Sequence, residues 1–356
     1  MLAPAPLLNV AAVGHSYGEG TARRPVLFDV NLVVRPGEIV VLTGPSGSGK
    51  TTLLTLIGAL RSLQSGGIRL WDTELRGLKP KAQVAVRRRL GFIFQEHNLF
   101  ESLTARQNVA MAASLATHPL GDAGDAMLAA VGLADLGHRL PRELSSGQRQ
   151  RVAIARALSI RPGLVLADEP TAALDQATGR DVIALLRKLA DTEGLAVVLV
   201  THDSRLFSFA DRLVQLVDGR LVADLPVKTL VALCTHLHTS GALAALSPGA
   251  MSQVARALAV GEFSAGAEIA GAGVLLDGEL ARPGGAALRA GAVFGFEQLL
   301  RESGAATATA AGAPTLRVAT ATARVATISR AEFTAARGRA RSAEEQTLAQ
   351  LFHTLL

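Results

Sequence analysis

The chain has 356 residues, enough for two domains, and 36 basic against 30 acidic side chains give a formal charge of +6. No run of about 18 apolar residues occurs, and the start of the chain lacks the pattern of a signal peptide. A single cysteine, Cys234, excludes an internal disulfide and a cysteine metal cluster. The basic residues are scattered apart from Arg87–Arg89, so we expect a cytoplasmic protein with no nucleic-acid partner.

The first predicted element is a strand over Asn9–Tyr17, which ends in the chain's one tyrosine. An aromatic ring at this place either stacks on a nucleotide base or lies half-buried at a sheet edge. The residues of this strand alone leave the two interpretations open. A second strand is predicted over Val26–Val34, followed by a turn at Pro36 and Gly37.

A glycine-rich segment of the form G-x-x-x-x-G-K-[ST] follows the apolar run Glu38–Thr43 and precedes the helix-like run Thr52–Ile57. Glycines let the backbone N–H groups of such a loop turn toward phosphate oxygens, and the next helix adds its positive N-terminus. Lys50 is placed to reach the β- and γ-phosphates, and Thr51 to bind Mg²⁺. The predicted phosphate site comprises Gly44, Pro45, Ser46, Gly47, Ser48, Gly49, Lys50, Thr51 and Thr52.

Two further segments carry polar residues where phosphate is expected. Gln95 ends a predicted strand over residues 91–95, at the edge of a doubly wound sheet where ligands bind. The second segment, residues 144–158, is predicted to enter a helix through small residues whose free N–H groups suit an anion. Its first turn contains Ser145, Ser146, Gly147 and Gln148.

Charged or titratable residues end two other apolar strands. Residues 164–167 lead into Asp168 and Glu169, and such paired carboxylates are costly at a buried strand end unless a cation or a polarised water meets them. We predict that Asp168 holds Mg²⁺ and that Glu169 orients or deprotonates the attacking water. The run 195–201 ends in His202, which in this company is predicted to be catalytic.

Taken in order, these motifs resemble the ATP-binding cassette (ABC) transporter ATPases over about residues 7–225. The glycine-rich loop matches Walker A, Gln95 the Q-loop, residues 144–148 the LSGGQ signature, and residues 164–169 Walker B with its catalytic glutamate. Asp175 falls in the D-loop, His202 at the switch histidine and Tyr17 at the adenine-stacking aromatic. The departure is Ser146, which stands where the family pattern has glycine.

The resemblance implies an α/β P-loop NTPase fold and an ATPase that uses ATP and Mg²⁺. Its metal ligands would be Thr51, Gln95 and Asp168, and its catalytic residues Glu169, His202 and Gln95. It also implies a homodimer in which residues 145–148 of one copy complete the site of the other. The segment 91–109 resembles the lipoprotein-release, macrolide-export and heterocyst-glycolipid-export branch. That branch works with a separate integral membrane permease, so the resemblance implies a subunit on the inner face of the cell membrane. The alternative is a soluble ABC ATPase gated by ligand or partner binding to the C-terminal domain.

The sequence predicts an ATPase domain over residues 1–228, a linker over 229–245 and a second domain over 246–356. Short strands with glycine turns in the second domain, flanked by helices at 247–260 and 342–355, indicate a small β-roll. This roll resembles a cyclic-nucleotide-binding domain. Glu297 stands where ribose is bound in that family, but residues 304–307 hold no arginine for the phosphate, and Arg317 is displaced. We therefore expect a structural or partner-docking roll that binds no cyclic nucleotide.

Overall fold

The computed structural model describes residues 5–18, 20–115, 123–239, 241, 246, 254–255, 257–301 and 316–338. The chain divides into two compact units, Met1–Asp224 and Leu225–Leu356. No helix among the described residues is both long and apolar enough to span a bilayer.

The first unit contains an antiparallel four-stranded sheet in the order β2-β1-β4-β5. Its two long strands alternate in burial, because one face packs on the core and the other meets solvent. The pairing of β1 with β2 shifts register several times, which bends the strand that ends at Tyr17. The strands are Leu8–Tyr17 (β1), Arg24–Val34 (β2), Ser65–Leu70 (β4) and Thr73–Glu74 (β5).

The centre of the first unit is a six-stranded sheet in the order β10-β9-β3-β8-β7-β6. Strand β3 runs parallel to β8 and β9, and β7 runs parallel to β6 and β8. These central strands are almost continuously apolar, as expected for a parallel sheet covered on both faces. The strands are Ile39–Thr43 (β3), Leu90–Ile93 (β6), Leu164–Asp168 (β7), Ala196–Val200 (β8), Arg212–Val217 (β9) and Arg220–Pro226 (β10).

Helices join the strands of this sheet. The longest ends at Gly194, whose φ of +71° suits a residue without a side chain at a helix C-terminus. The helices are Lys50–Ile57 (α1), Pro80–Arg87 (α2), Ala105–Ser114 (α3), Ala123–Ala130 (α4), Ser146–Leu158 (α5) and Gln176–Glu193 (α6).

The second unit holds two four-stranded sheets, in the orders β11-β18-β13-β16 and β12-β17-β14-β15. An apolar cluster that includes Leu275, Leu280, Phe294 and Val325 forms its core. The strands are Ala259–Ser264 (β11), Glu268–Ile269 (β12), Ala272–Asp277 (β13), Glu279–Ala281 (β14), Leu288–Arg289 (β15), Val293–Phe294 (β16), Leu316–Val318 (β17) and Thr322–Ile328 (β18). The helices are Val227–Thr239 (α7), Phe296–Arg301 (α8) and Arg330–Gly338 (α9).

Two local predictions differ from the structure. Helix α7 occupies most of the segment predicted as a linker, because apolar residues recur there at helical spacing. The helix predicted over 247–260 is wrong at its end, where Ala259 and Val260 belong to β11 and pair with β18. Most of that helix, the whole helix predicted over 342–355 and the slot at 304–307 lie outside the described residues.

Candidate functional site

The glycine-rich loop joins the carboxyl end of β3 to α1. Gly44 has a φ of +141°, and a Cβ built there would stand 1.9 Å from the carbonyl oxygen of Leu216. Gly49 has a φ of +102° and caps the helix that begins at Lys50. Both positions therefore require glycine, which lets the backbone close tightly beneath the helix N-terminus.

The lysine of this loop is buried, and its ammonium donates to the carbonyl oxygens of Gly44 and Pro45 at 2.6 and 2.8 Å. The ammonium is thereby held inside the loop, where Lys50 can stabilise phosphate charge. Ser48 is also buried in this loop, and its hydroxyl oxygen has no hydrogen-bond partner among the described residues. A loop that holds a cation and a buried, unpartnered hydroxyl fits a polyphosphate.

The predicted metal ligands converge on one side of the loop. The Thr51 hydroxyl donates to Asp168 Oδ2 at 2.7 Å, which joins the start of α1 to the end of β7. Gln95 lines the same cleft. A hydroxyl, a carboxylate and an amide oxygen form the all-oxygen set that Mg²⁺ prefers, so these residues fit the predicted ion.

Glu169 follows β7 with a φ of +48°, and its N–H donates to the carbonyl of Val200 on β8. Its carboxylate oxygen Oε1 is buried 3.6 Å from His202 Nε2 and has no hydrogen-bond partner in the part of the chain that the structure describes. Burial raises the pKa of the Glu169 carboxyl above its ordinary value, although nearby His202 acts to lower it. An acceptor in this state is suited to bind a water and take its proton.

A cleft of about 400 Å³ joins these groups into one site. Strands β3, β7 and β8 are parallel and adjacent, so the residues that follow them meet at the same edge of the sheet. The cleft is lined by Tyr17, Val26, Ser46, Gly47, Gly49, Lys50, Thr51, Thr52, Gln95, Asp168, Glu169, Val200 and His202.

Tyr17 stands at the outer end of the cleft with 36% of its surface exposed. Its hydroxyl shares a 3.0 Å hydrogen bond with Thr52 Oγ1, and the Arg61 guanidinium lies 4.9 Å from its ring centroid. The ring of His15 meets Tyr17 edge-on at 5.1 Å. These contacts hold an aromatic ring beside the loop, and its stacking on a base stays a prediction.

The signature residues lie elsewhere in the chain and do not line this cleft. Ser145 caps α5 by accepting from the N–H of Gln148, whose side chain bonds back to the Ser145 N–H. Ser146 is exposed, and Gly147 lies against the D-loop, where an added Cβ would approach Ala173 O to 3.1 Å. Asp175 likewise caps α6 through Thr178. The structure therefore separates residues 145–148 and Asp175 from Lys50 within one chain.

Two residues near the site, Gln150 and Arg156, were not predicted from the sequence. Gln150 is 1% exposed and donates to Phe94 O at 3.5 Å, while Arg156 donates to the carbonyls of His97 and Asn98. Burial lowers the pKa of the Arg156 guanidinium from its ordinary value. These bonds tie the segment after Gln95 to α5. The sequence does show polar residues on the otherwise apolar face of α5. It does not show their hydrogen-bond partners, which are over 50 residues away.

Comparison with known proteins places these motifs in a family. The family described as ABC transporter matches residues 27–172. The lipoprotein-releasing system ATP-binding protein LolD of Anaeromyxobacter dehalogenans (strain 2CP-C) is 44% identical over 226 residues, which cover 62% of this chain and 95% of that protein. The chain belongs to the ABC transporter family.

Other relatives agree with this membership. The macrolide export ATP-binding/permease protein MacB of Sodalis glossinidius (strain morsitans) is 42% identical over 223 residues. That match covers 62% of this chain but 34% of MacB, so the chain spans about a third of that relative. A solved dimeric ATP-binding cassette in a post-hydrolysis state, bound to ADP and Pi, is 35% identical with a TM-score of 0.59. The match covers 62% of this chain and 98% of that cassette. The first unit is therefore an ABC-type ATPase domain, as the sequence predicted.

Proposed function

We propose that the chain is the ATP-hydrolysing subunit of an ABC exporter and drives a separate membrane permease through ATP-dependent closure of a homodimer. The observation that carries this proposal is the Glu169 carboxylate, whose Oε1 is buried with no hydrogen-bond partner among the described residues and lies 3.6 Å from His202 in a cleft that the phosphate loop also lines. A poised base that faces a polyphosphate cradle favours hydrolysis over simple nucleotide binding.

The residues of the cleft have different roles in ATP hydrolysis. The glycine loop and Lys50 bind the phosphates, and Tyr17 stacks on the base. Glu169 accepts a proton from the attacking water, and His202 holds that water and the γ-phosphate in line. Thr51, Asp168 and Gln95 would hold Mg²⁺, which neutralises charge on the phosphates when it is bound.

A second copy of the chain completes the nucleotide site of the first. The first turn of α5 does not line the cleft of its own chain, and Ser145 and Ser146 are exposed. That turn presents backbone N–H groups at a helix N-terminus, which suit an anion. The solved relatives are dimers, and one of them holds ADP and Pi. We infer that Ser145, Ser146, Gly147 and Gln148 complete the partner's site.

An apolar surface beside the cleft provides a docking place for the permease. Leu60 is 43% exposed, and Phe100, in the segment that follows Gln95, is 52% exposed. A small apolar pocket that Leu60 and Phe94 help to line adjoins Thr51 and Asp168. Movement at the nucleotide can therefore reach this surface through Gln95 and the residues after it. Docking there places the subunit on the inner face of the membrane, with LolD and MacB as the relatives that point to export.

The decisive variant is Glu169→Gln, which keeps the shape of the side chain and removes the base. We expect ATP binding at near-parental affinity, hydrolysis reduced by roughly 10²-fold or more, and a dimer that persists in ATP. The measurements are phosphate release and sedimentation with and without ATP. Glu193→Gln, on the exposed end of α6, is the matched control and keeps the parental rate. Hydrolysis at the parental rate in Glu169→Gln would show that the base is another residue.

For the second unit we propose a structural or partner-docking β-roll. Arg317, the displaced candidate for a cyclic phosphate, donates to Glu268 at 2.7 Å across the β12–β17 pair, so its charge is already engaged. Glu297, the candidate for ribose, is exposed on α8. The alternative is that this unit gates the ATPase by binding a ligand or partner, which truncation of the chain distinguishes.

A further inference from the structure

Ser146 stands at the first position of α5, where the family pattern has glycine. Its hydroxyl oxygen lies 3.3 Å from Nε2 of His97, in the segment that follows Gln95. Glycine has neither a hydroxyl hydrogen to donate nor a side-chain oxygen to present. The substitution therefore adds a polar group to the turn that meets phosphate and connects it to a histidine outside the signature.

The direction of this hydrogen bond follows from the neighbouring amide. Gln150 donates through Nε2 to Phe94 O, which leaves its Oε1 to accept from His97 Nδ1 at 2.5 Å. Nδ1 therefore carries the proton, and in a neutral imidazole the other ring nitrogen is then an acceptor. The Ser146 hydroxyl must donate to His97 Nε2.

The imidazole is held in place by more than this bond. Arg156 donates to the carbonyl oxygens of His97 at 3.1 Å and of Asn98 at 2.5 Å, which fixes the backbone that carries the ring. Gln150 is almost fully buried, so its orientation is set by packing. The acceptor that faces Ser146 is therefore preorganised.

We propose that His97 is a positioning residue that retains the hydroxyl hydrogen of Ser146, so that a phosphate docking on the signature turn must compete for it. While the hydrogen points to His97, the Ser146 oxygen presents lone pairs, which repel an anion. To donate to phosphate, the hydroxyl must leave His97 and forfeit that bond. The pair weakens ATP-dependent closure. This inference rests on the proposed homodimer with the signature turn acting in trans.

A double-mutant cycle tests the proposal in the full chain that carries Glu169→Gln, with the dimer dissociation constant measured by sedimentation in saturating ATP. His97→Phe frees the hydroxyl at both sites of the dimer, so we expect tighter dimerisation by roughly tenfold. Combined with Ser146→Ala, the same change at His97 should alter the constant less than about twofold, because no hydroxyl remains. His138→Phe, at an exposed histidine outside the signature turn, is the matched control.

Each outcome of the double-mutant cycle either supports or contradicts the role proposed for His97. An equal effect of His97→Phe with and without the Ser146 hydroxyl would mean that the ring acts through packing, and no tightening would likewise overturn the proposal. Absence of any ATP-dependent dimer in the Glu169→Gln parent would overturn the homodimer and the competition together. The two failures are distinguishable, because loss of the competition alone leaves the parental dimer intact.

Nitrogen NMR of the histidine-labelled chain without nucleotide tests the bond itself. At about pH 8.5, where ordinary imidazoles are neutral, we expect His97 with the proton on Nδ1. Ser146→Ala should shift the Nε2 resonance toward that of an imidazole without a donor, and leave His138 unchanged. A proton on Nε2 would overturn the direction of the bond and with it the proposal.

Discussion

Glu169 combines a strained backbone with a half-buried side chain. Its φ of +48° lies in the left-handed region, which costs a non-glycine residue about 1–3 kcal/mol. The N–H bond to Val200 offsets part of that cost and turns the side chain away from the strand direction. The carboxylate consequently points at His202, where an extended residue after Asp168 would point elsewhere. The left-handed backbone of Glu169 therefore orients the side chain of the proposed base.

Substitutions at two glycines of the phosphate loop separate the cost of a steric clash from the cost of backbone strain. Gly44→Ala would force a Cβ to within 1.9 Å of Leu216 O, so we expect loss of ATP binding and at least about 3 kcal/mol of destabilisation. A Cβ at Gly47 would have no atom within 4 Å, so Gly47→Ala costs only the backbone strain of a φ of +79°, about 1–2 kcal/mol of stability. Denaturant unfolding and ATP titration of both variants check this difference. Similar losses in the two variants would show that contact with Leu216 does not limit the loop.

The entry to α3 depends on one buried amide. Asn108 is fully buried, accepts from the N–H of Phe100, and donates to the carbonyls of Phe100, Leu103 and Thr104. Thr104 also caps the helix in a capping box with Gln107. The loop that presents the exposed Phe100 is therefore fixed from beneath, which the proposed docking surface requires.

Asn108→Ala removes the four hydrogen bonds of this side chain and leaves the N–H of Phe100 without the acceptor it has in the parent. We expect the free energy of unfolding to fall by about 3 kcal/mol and the amides of residues 100–104 to exchange faster. Asn9→Ala, at an exposed position of β1, is the control and should change stability by less than about 0.5 kcal/mol. Unchanged exchange in residues 100–104 would show that the helix cap alone holds the loop.

At the scale of the whole molecule, the first unit contains its own core and closes its own sheet. Arg212 of β9 joins Asp224 of β10 at 2.8 Å and also bonds Glu38 and the carbonyl of Val33. The ion pairs raise the pKa of this half-buried guanidinium even though burial opposes its charge. The LolD relative matches over 226 residues that cover 95% of its own length, so a protein of about this size is sufficient for the fold.

A chain that ends at Pro226 retains β10 and the Arg212 contacts. We expect it to fold cooperatively and to hydrolyse ATP within about twofold of the full chain, because the cleft is built wholly from the first unit. Calorimetry and phosphate release measure both properties. A chain that ends at Asp211, which lacks β9 and β10, is the control that should not fold. A large change in the rate of the longer truncation would favour the reading in which the second unit gates the ATPase.

The sequence by itself determined the first unit to the level of its fold and its motifs. The glycine loop, the apolar strands of the parallel sheet and the polar residues at their ends are local patterns, each of which constrains backbone or burial directly. Their order predicted the ABC-type ATPase that the comparisons confirm. The roles of the individual site residues stay predictions.

Only the tertiary structure decided which distant groups meet. The contacts of His97 with Ser146 and Gln150 join residues about 50 positions apart, and no periodicity encodes such pairs. The φ of Glu169 arises because its N–H bonds a neighbouring strand, which propensity does not predict. Local chemistry thus sets the elements, while non-local contacts set the geometry of the site.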